Sequence, residues 1–333
     1  MRALPVFLLA TTLALAADNA SITRLERQIQ YLSHEIDGIV GVSAIHTESG
    51  RSVSFHGTEA FPMASAFKVP VAVQLMSLVD AGKLTLDRMV TLSPQDIRPE
   101  SGAIKDLLFH PGVALSIENL MELMLVISDN TAADVLLHEA GGPAAVTAKM
   151  RALGLPGIRV DRPLARLFSD WFGAKTVPPE EQWNLEMWEQ LYGAIPTAER
   201  MRARRAGLAD PRDTATPDDM TRLMARIWKK DLFIDPKNGD ELLGMMERCQ
   251  TGNARIKGML PPGTNVAHKT GTLGGVTNDT GVVTLPGNLG HVAISVFTKA
   301  FTKPQQTAEK TVADVARTIY DYFVLVPDSG ARN

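Results

Sequence analysis

A serine and a lysine three positions apart, Ser65 and Lys68, stand at the head of the apolar stretch ASAFKVPVAVQLMSL. A helix puts positions i and i+3 on one face, so this spacing sets a hydroxyl beside an amine about one turn on. Serine is a weak nucleophile until a neighbouring base takes its proton, and a lysine among apolar side chains is pushed toward its neutral, basic form. The N–H groups at a helix N-terminus add partial positive charge where an oxyanion would form. The spacing alone is common. With serine and lysine each about one residue in fifteen, it arises about once by chance in a chain of this length.

Two further stretches raise its value. Ser128-Asp129-Asn130 interrupts an apolar helical pattern and offers a second hydroxyl and an amide at the break, although the same residues also make an ordinary turn. Lys269-Thr270-Gly271-Thr272 ends a strand-like run with a cation, two hydroxyls and a glycine that lets a ligand approach the backbone. As an ordered set in one chain the three are far rarer than any one of them. Other catalytic designs find no support. The seven histidines show neither H-x-H-x-D nor H-E-x-x-H spacing, and no G-x-S-x-G elbow is present. His268 is expected to face away from Lys269 on alternate sides of a strand, and Cys249, the only cysteine, to be a buried inert thiol.

The elements that must position these groups follow from periodicity. Thr23 to Ile36 has helical apolar spacing, and Ile39 to His46 with Arg51 to Phe55 reads as a hairpin about Glu48-Ser49-Gly50. The Ser65 helix runs to about Ala81, with Gly82 as its stop. From Leu84 to about Arg226 the pattern is mostly helical, except that 155–217 reads as a long, proline-rich, irregular connection. Helices are predicted from Pro217 to Lys230 and from Asn238 to Arg248; strands over Thr264 to Thr270, Val276 to Leu285 and His291 to Lys299; and a closing amphipathic helix from Thr307 to Phe323. Strand signals at both ends with helices between them predict an α+β architecture: a discontinuous sheet domain over 20–83 and 227–328, with a helical domain over 84–226 inserted in it.

A formal net charge of -3 and 45% hydrophobic residues describe an ordinary globular chain of mixed charge, and no nucleic-acid partner is expected. The short basic stretch Arg200 to Arg205 reads as a solvated helix face. Arg2, the apolar run Leu4 to Leu15 and the small-x-small pattern Ala14-Leu15-Ala16 mark residues 1 to about 16 as a secretory signal peptide. No later run could span a bilayer, so an exported chain without a membrane span is expected.

With its three motifs, and with the segments MELMLVISDNTAAD and VAHKTGTLGGVTND around the second and third, the sequence resembles the class A β-lactamases and related penicillin-recognising serine hydrolases over about residues 22 to 325. The resemblance implies a five-stranded antiparallel sheet flanked by helices beside an all-helical domain, with the active site between them and no metal or other cofactor. It implies that Ser65 is acylated with Lys68 as base, and that Ser128 passes a proton to the leaving nitrogen. Asn130 would hold the substrate's side-chain amide. Lys269, Thr270 and Gly271 would form the carboxylate-binding strand, and the N–H groups of Ser65 and Thr272 an oxyanion hole. Arg255, fourteen residues before Lys269, matches one of two places where the family supplies an arginine toward the carboxylate.

One segment departs from the pattern. The family places a glutamate in a loop after the second motif, in R-x-E-x-x-L-N, to hold the hydrolytic water. Ungapped alignment from Ser128 starts that loop at Val160-Asp161-Arg162 and puts Leu164 at the glutamate position and Phe168 at the asparagine position. The loop then runs on to Arg212-Asp213-Thr214, so that Arg162 and Asp213 are placed to pair across its neck. Two readings follow. Either Glu180, with Asn184 four residues on, or Glu189 substitutes for the missing carboxylate; or deacylation is slow, as in D-alanyl-D-alanine peptidases of similar fold acting on cell-wall peptides, or in a sensor that acylates and stops.

Overall fold

The computed structural model describes residues 20–326, so the signal peptide expected over 1–16 lies outside the described residues. Residues 20–33 form helix α1, which buries Leu25 and Ile29 one turn apart. The hairpin β1 (Ile39–His46) and β2 (Ser52–Phe55) follows, then β3 (Phe61–Pro62), a 3₁₀ turn Ala64–Phe67 and helix α2 (Lys68–Asp80). Gly82, at φ +66°, takes the left-handed conformation that ends α2. Next come β4 (Met89–Thr91), α3 (Ala103–Leu107), β5 (Ala114–Ser116), α4 (Ile117–Val126), α5 (Asn130–Glu139) and α6 (Gly142–Ala152).

The stretch expected to be irregular instead holds three helices, α7 (Leu164–Phe172), α8 (Leu185–Gly193) and α9 (Thr197–Leu208), which take up nearly half of it. Pro163 and Pro196 are the N-cap residues of α7 and α9, so these prolines start helices rather than break them. After β6 (Thr214–Ala215) come α10 (Pro217–Lys229), α11 (Pro236–Glu247), β7 (Val266–Leu273), β8 (Val276–Thr284), β9 (His291–Lys299) and α12 (Gln305–Leu325).

The main sheet has the order β2-β1-β9-β8-β7, all neighbours antiparallel, and joins both ends of the chain. Alternation along the strands sends side chains to two layers. Val42, Ala44, Ile294 and Val296 pack with α1 and α12, whereas Ala267, Val282, Ala293 and Phe297 belong to the larger core shared with the helices. Helix α10 lies along β1 and β9, with the Thr221 hydroxyl donating to Ser43 O at 3.1 Å. Helix α2 is apolar on every side, so it must be enclosed; Val69, Val71, Val73, Leu75 and Met76 are all buried among α4, α5, α6 and α11. Burying each such side chain contributes about 1.5–3 kcal/mol. The first turn of α2 therefore emerges from the core at a fixed place, beside the end of β7.

Candidate active site

Ser65 lies in the 3₁₀ turn that leads into α2, half-buried, with Lys68 fully buried at the first position of that helix. Two contacts fix this turn against the sheet. Gly271 in β7 passes so close that a Cβ there would stand 2.3 Å from Met63 O and 3.0 Å from Ala66 N. Asn278 in β8 donates from Nδ2 to Pro62 O at 2.8 Å and Met63 O at 3.1 Å, while its Oδ1 accepts from Thr298 N at 3.0 Å. Ala64, just before the serine, is held at φ +47°, a conformation costing a side-chain-bearing residue about 1–3 kcal/mol.

Ser128 sits between α4 and α5 at φ +62°, also left-handed. Its Oγ lies 3.1 Å from Lys68 Nζ and 3.0 Å from Lys269 Nζ, so one hydroxyl joins the two amines. Lys68 Nζ further donates to Ser128 O at 2.7 Å and Asn130 Oδ1 at 2.9 Å. These bonds run to the second motif and not to the Ser65 hydroxyl. Burial, with the Lys269 charge in support, pushes the Lys68 amine well below the usual lysine range, and the Asp129 and Asp134 charges oppose this. Burial also lowers Lys269, to about 8, with Cys249 and Asp279 working against the shift. A neutral Lys68 has two N–H groups, which Ser128 O and Asn130 Oδ1 take. Its lone pair is then free to accept from a hydroxyl, and the two hydroxyls of the first and second motifs line the same cleft.

The middle residue of the second motif is structural. Asp129 caps α5 by accepting from Ala132 N at 2.9 Å and holds α3 by accepting from Ile104 N at 2.9 Å. Asn130 also donates to Pro99 O at 3.2 Å, so its amide already ties Lys68 to the 99–101 segment.

On the third motif, Thr270 Oγ1 and Thr251 Oγ1 are 2.6 Å apart, and both residues line the cleft with Thr272. Arg255 lines it too, but its guanidinium is 3% exposed in residue terms and fully engaged: Nη2 donates to Thr272 Oγ1 at 2.7 Å, Nη1 to Gly271 O at 3.2 Å and Asn278 O at 3.0 Å, and Glu309 pairs with it at 3.1 Å. Glu309 carries no motif that would have marked it in the sequence, and Asn278 stands in the resembling segment VAHKTGTLGGVTND with no role read from it there. Behind Lys269, His268 faces the other way as expected and pairs through Nδ1 with Asp279 at 2.9 Å. Cys249 is buried, as expected, with its Sγ 3.3 Å from Thr251 Oγ1. Burial works to raise its thiol, yet the neighbouring His268 brings it down to about 6, and Asp279 lifts His268 to about 9 against the effect of burial.

The cleft has a volume of about 970 Å³. Its wall from α7 is hydrocarbon: Leu164, Leu167, Phe168, Trp171 and Phe172. Trp171 packs on Ala64 and Val276, next to Ser65. Glu180 and Glu189, the two substitutes suggested by spacing, are both exposed and neither lines the cleft; Asn184 caps α8 by accepting from Met187 N at 2.9 Å. Glu100 is the only carboxylate among the described residues that line it. The neck of the inserted segment closes as anticipated, with Arg162 Nε donating to Asp213 Oδ2 at 2.6 Å, and Arg162 also pairs with Asp170 at 2.7 Å.

A family model described as the beta-lactamase enzyme family matches residues 24–323. Beta-lactamase VEB-1 of Pseudomonas aeruginosa is 26% identical over 324 residues, covering 95% of this chain and 96% of that one. A crystal structure of a beta-lactamase from Chitinophaga pinensis superposes with a TM-score of 0.74 at 26% identity, over 90% of this chain and 98% of that one. An ancestral class A beta-lactamase gives a TM-score of 0.72 at 29% identity, over 89% and 99%.

Proposed function

The chain belongs to the beta-lactamase enzyme family, and from that premise we propose that it is an exported serine hydrolase that opens the amide of a β-lactam by forming an acyl ester on Ser65. The observation that carries this reading is the Ser128 hydroxyl placed between the Lys68 and Lys269 amines, at 3.1 and 3.0 Å, in the cleft that Ser65 lines. Ser65 Oγ attacks the lactam carbonyl and gives its proton to Lys68, which burial and the Lys269 charge keep neutral. That proton passes through the Ser128 hydroxyl to the lactam nitrogen as the C–N bond breaks, so the nitrogen leaves the carbonyl as a neutral amine that stays tethered to the acyl portion. The backbone N–H groups of Ser65 and Thr272 hold the oxyanion, where each donor is worth about 10²–10³ in rate. Lys269, a cation at neutral pH with its pKa at about 8, and Thr270 bind the substrate carboxylate. Arg255 acts through Thr272, whose hydroxyl it holds.

The apolar α7 wall favours a second reading for the step that follows. Hydrolysis of the ester needs a base to activate water, and Leu164 and Phe168 offer none. With Glu100, the one lining carboxylate among the described residues, on the 99–101 segment and not on α7, that wall favours slow deacylation and a protein that retains its acyl group, as a penicillin-binding peptidase or sensor does. Export rests on the residue 1–16 pattern, and no described helix is long and apolar enough to cross a membrane.

Intact-protein mass spectrometry with a fluorescent penicillin tests both steps. The expected result is a mass gain of one penicillin that Ser65→Ala lacks, followed by slow release. Uptake by Ser65→Ala at the wild-type rate would overturn the assignment, and fast release would remove the second reading.

A further inference from the structure

Helix α9 carries Arg200, Arg202, Arg204 and Arg205, a basic stretch that reads in sequence as a solvated face. Two of these residues, Arg200 and Arg204, instead line the cleft of Ser65. Arg204 lies over the end of β7: a Cβ at Gly274 would stand 2.6 Å from its guanidinium carbon, and one at Gly275 would stand 3.1 Å from Nη2. The absence of side chains at Gly274-Gly275 is therefore what admits the guanidinium to this place. Arg204 makes no ion pair with any described residue, and Arg200 donates from Nε only to a backbone carbonyl, Ile195 O, at 3.0 Å. Lys303 lines the same cleft, and the single lining carboxylate, Glu100, comes from the segment that Asn130 and Ser128 hold rather than from α9. Arg255 differs from Arg204 in being neutralised by Glu309.

The placement along β7 sets what this charge can meet. Thr270 and Gly274 are four residues apart on an extended segment, about 13 Å at the usual rise. A substrate whose carboxylate sits at Lys269 and Thr270 and whose reacting carbonyl sits at Ser65 and Thr272 extends its acyl portion toward Leu273 to Gly275. We infer that Arg204, supported by Arg200, forms a subsite for an anionic group on the acyl side of the scissile amide, so that the preferred substrates are acyl compounds carrying a second carboxylate. This inference rests on the cleft accepting an acyl compound at Ser65. An exposed guanidinium in a partly enclosed cleft gives a point of bidentate recognition, discounted for its contact with solvent.

The test uses 6-aminopenicillanic acid acylated with glutaric or adipic acid, against the same compounds ending in a primary amide. Binding to the full-length Ser65→Ala protein is read by calorimetry, and acylation of the wild type by intact mass. The acid is expected to bind about tenfold more tightly than its amide. The preference should fall to near unity in Ser65→Ala/Arg204→Gln, persist in part in Ser65→Ala/Arg204→Lys, and shrink in 0.5 M salt as screening predicts. Equal binding of acid and amide, an acid preference that survives Arg204→Gln, or no measurable binding of either compound would overturn the subsite. An acid preference in binding without acylation of the wild type would leave the subsite standing and overturn the catalytic reading instead.

Discussion

Two buried lysines sharing one serine hydroxyl cannot both be fully charged without severe repulsion, and the burial of Lys68 and Lys269 resolves this in favour of one cation. In the proposed mechanism Lys68, pushed well below the usual lysine range by burial and the Lys269 charge, serves as base, and Lys269, lowered to about 8, keeps its proton at neutral pH and serves as anion binder. The two roles give opposite pH dependences. As pH rises through about 8, Lys269 loses its charge and the substrate carboxylate loses its partner, so the second-order rate of Ser65 acylation is expected to fall on that limb. As pH falls far enough to protonate Lys68, the rate falls again because the base is gone, giving a bell-shaped profile. Lys269→Arg keeps its charge at every accessible pH and should remove the alkaline limb while lowering the rate, since a planar fork does not reproduce a compact ammonium. Stopped-flow acylation between pH 5 and about 10 decides it; an alkaline limb retained by Lys269→Arg would assign that limb to another group. Residue types and spacing made the motif residues legible, because a base must stand one turn from its hydroxyl. The contacts of Asn278 and Glu309 were not, because their partners, Pro62 O and Arg255, lie 216 and 54 positions away.

Elements bring these residues together through backbone contact more than through side chains. The first motif meets the third where β7 crosses the Met63 to Ala66 turn, and the crossing is possible only because residue 271 has no Cβ. Gly271→Ala would force 2.3 Å against a carbonyl oxygen that cannot swing aside. The strand or the turn must then shift, at about 1–3 kcal/mol of stability. A shift of about 1 Å at a reacting pair lowers rates roughly 10²-fold. The expected outcome is a folded variant, checked by circular dichroism and melting, whose acylation rate drops about a hundredfold; wild-type acylation would mean that the close approach does not position Ser65. The sheet, the hairpin and the helices α2, α4, α5 and α12 were legible because their apolar periods are long and their stop signals clear. The inserted segment was misjudged as irregular because its prolines were weighed as breakers. The spacing Leu164, Leu167, Phe168, Trp171 is i, i+3, i+4, i+7, a helical face that was present in the sequence, and all four side chains are buried. That face is also why no carboxylate from the insertion enters the cleft. A helix that must bury four large apolar side chains beside Ser65 leaves the polar residues of the segment, Glu180 and Glu189 among them, in solvent.

At the scale of the whole molecule, a sheet made from both ends of the chain and a set of helices from its middle would be expected to melt separately if only a seam joined them. Instead one core runs through both. Ala267, Val282, Ala293 and Phe297 from the sheet belong to the same buried cluster as Leu120, Leu136, Val146 and Met224 from the helices. Helix α2 begins at the turn that carries Ser65 and ends among α4, α5, α6 and α11, while α10 lies on β1 and β9 although its first residues follow directly from the inserted segment. Removing either part would expose the apolar surface of α2 on one side and of the sheet on the other, at about 25 cal/mol for each Å² uncovered. Neither part therefore has a stable state without its neighbour, and the two should unfold together. Scanning calorimetry of the mature chain is expected to show a single transition whose calorimetric and van 't Hoff enthalpies agree, with near-ultraviolet and far-ultraviolet circular dichroism changing at the same temperature. Acylation at Ser65 should move that transition as a unit, because the ester would sit where the first turn of α2, the Ser128 break and β7 converge. Two resolved transitions, or a shift confined to one of them on acylation, would show that the cleft divides two independent units and that its geometry is set by how they dock.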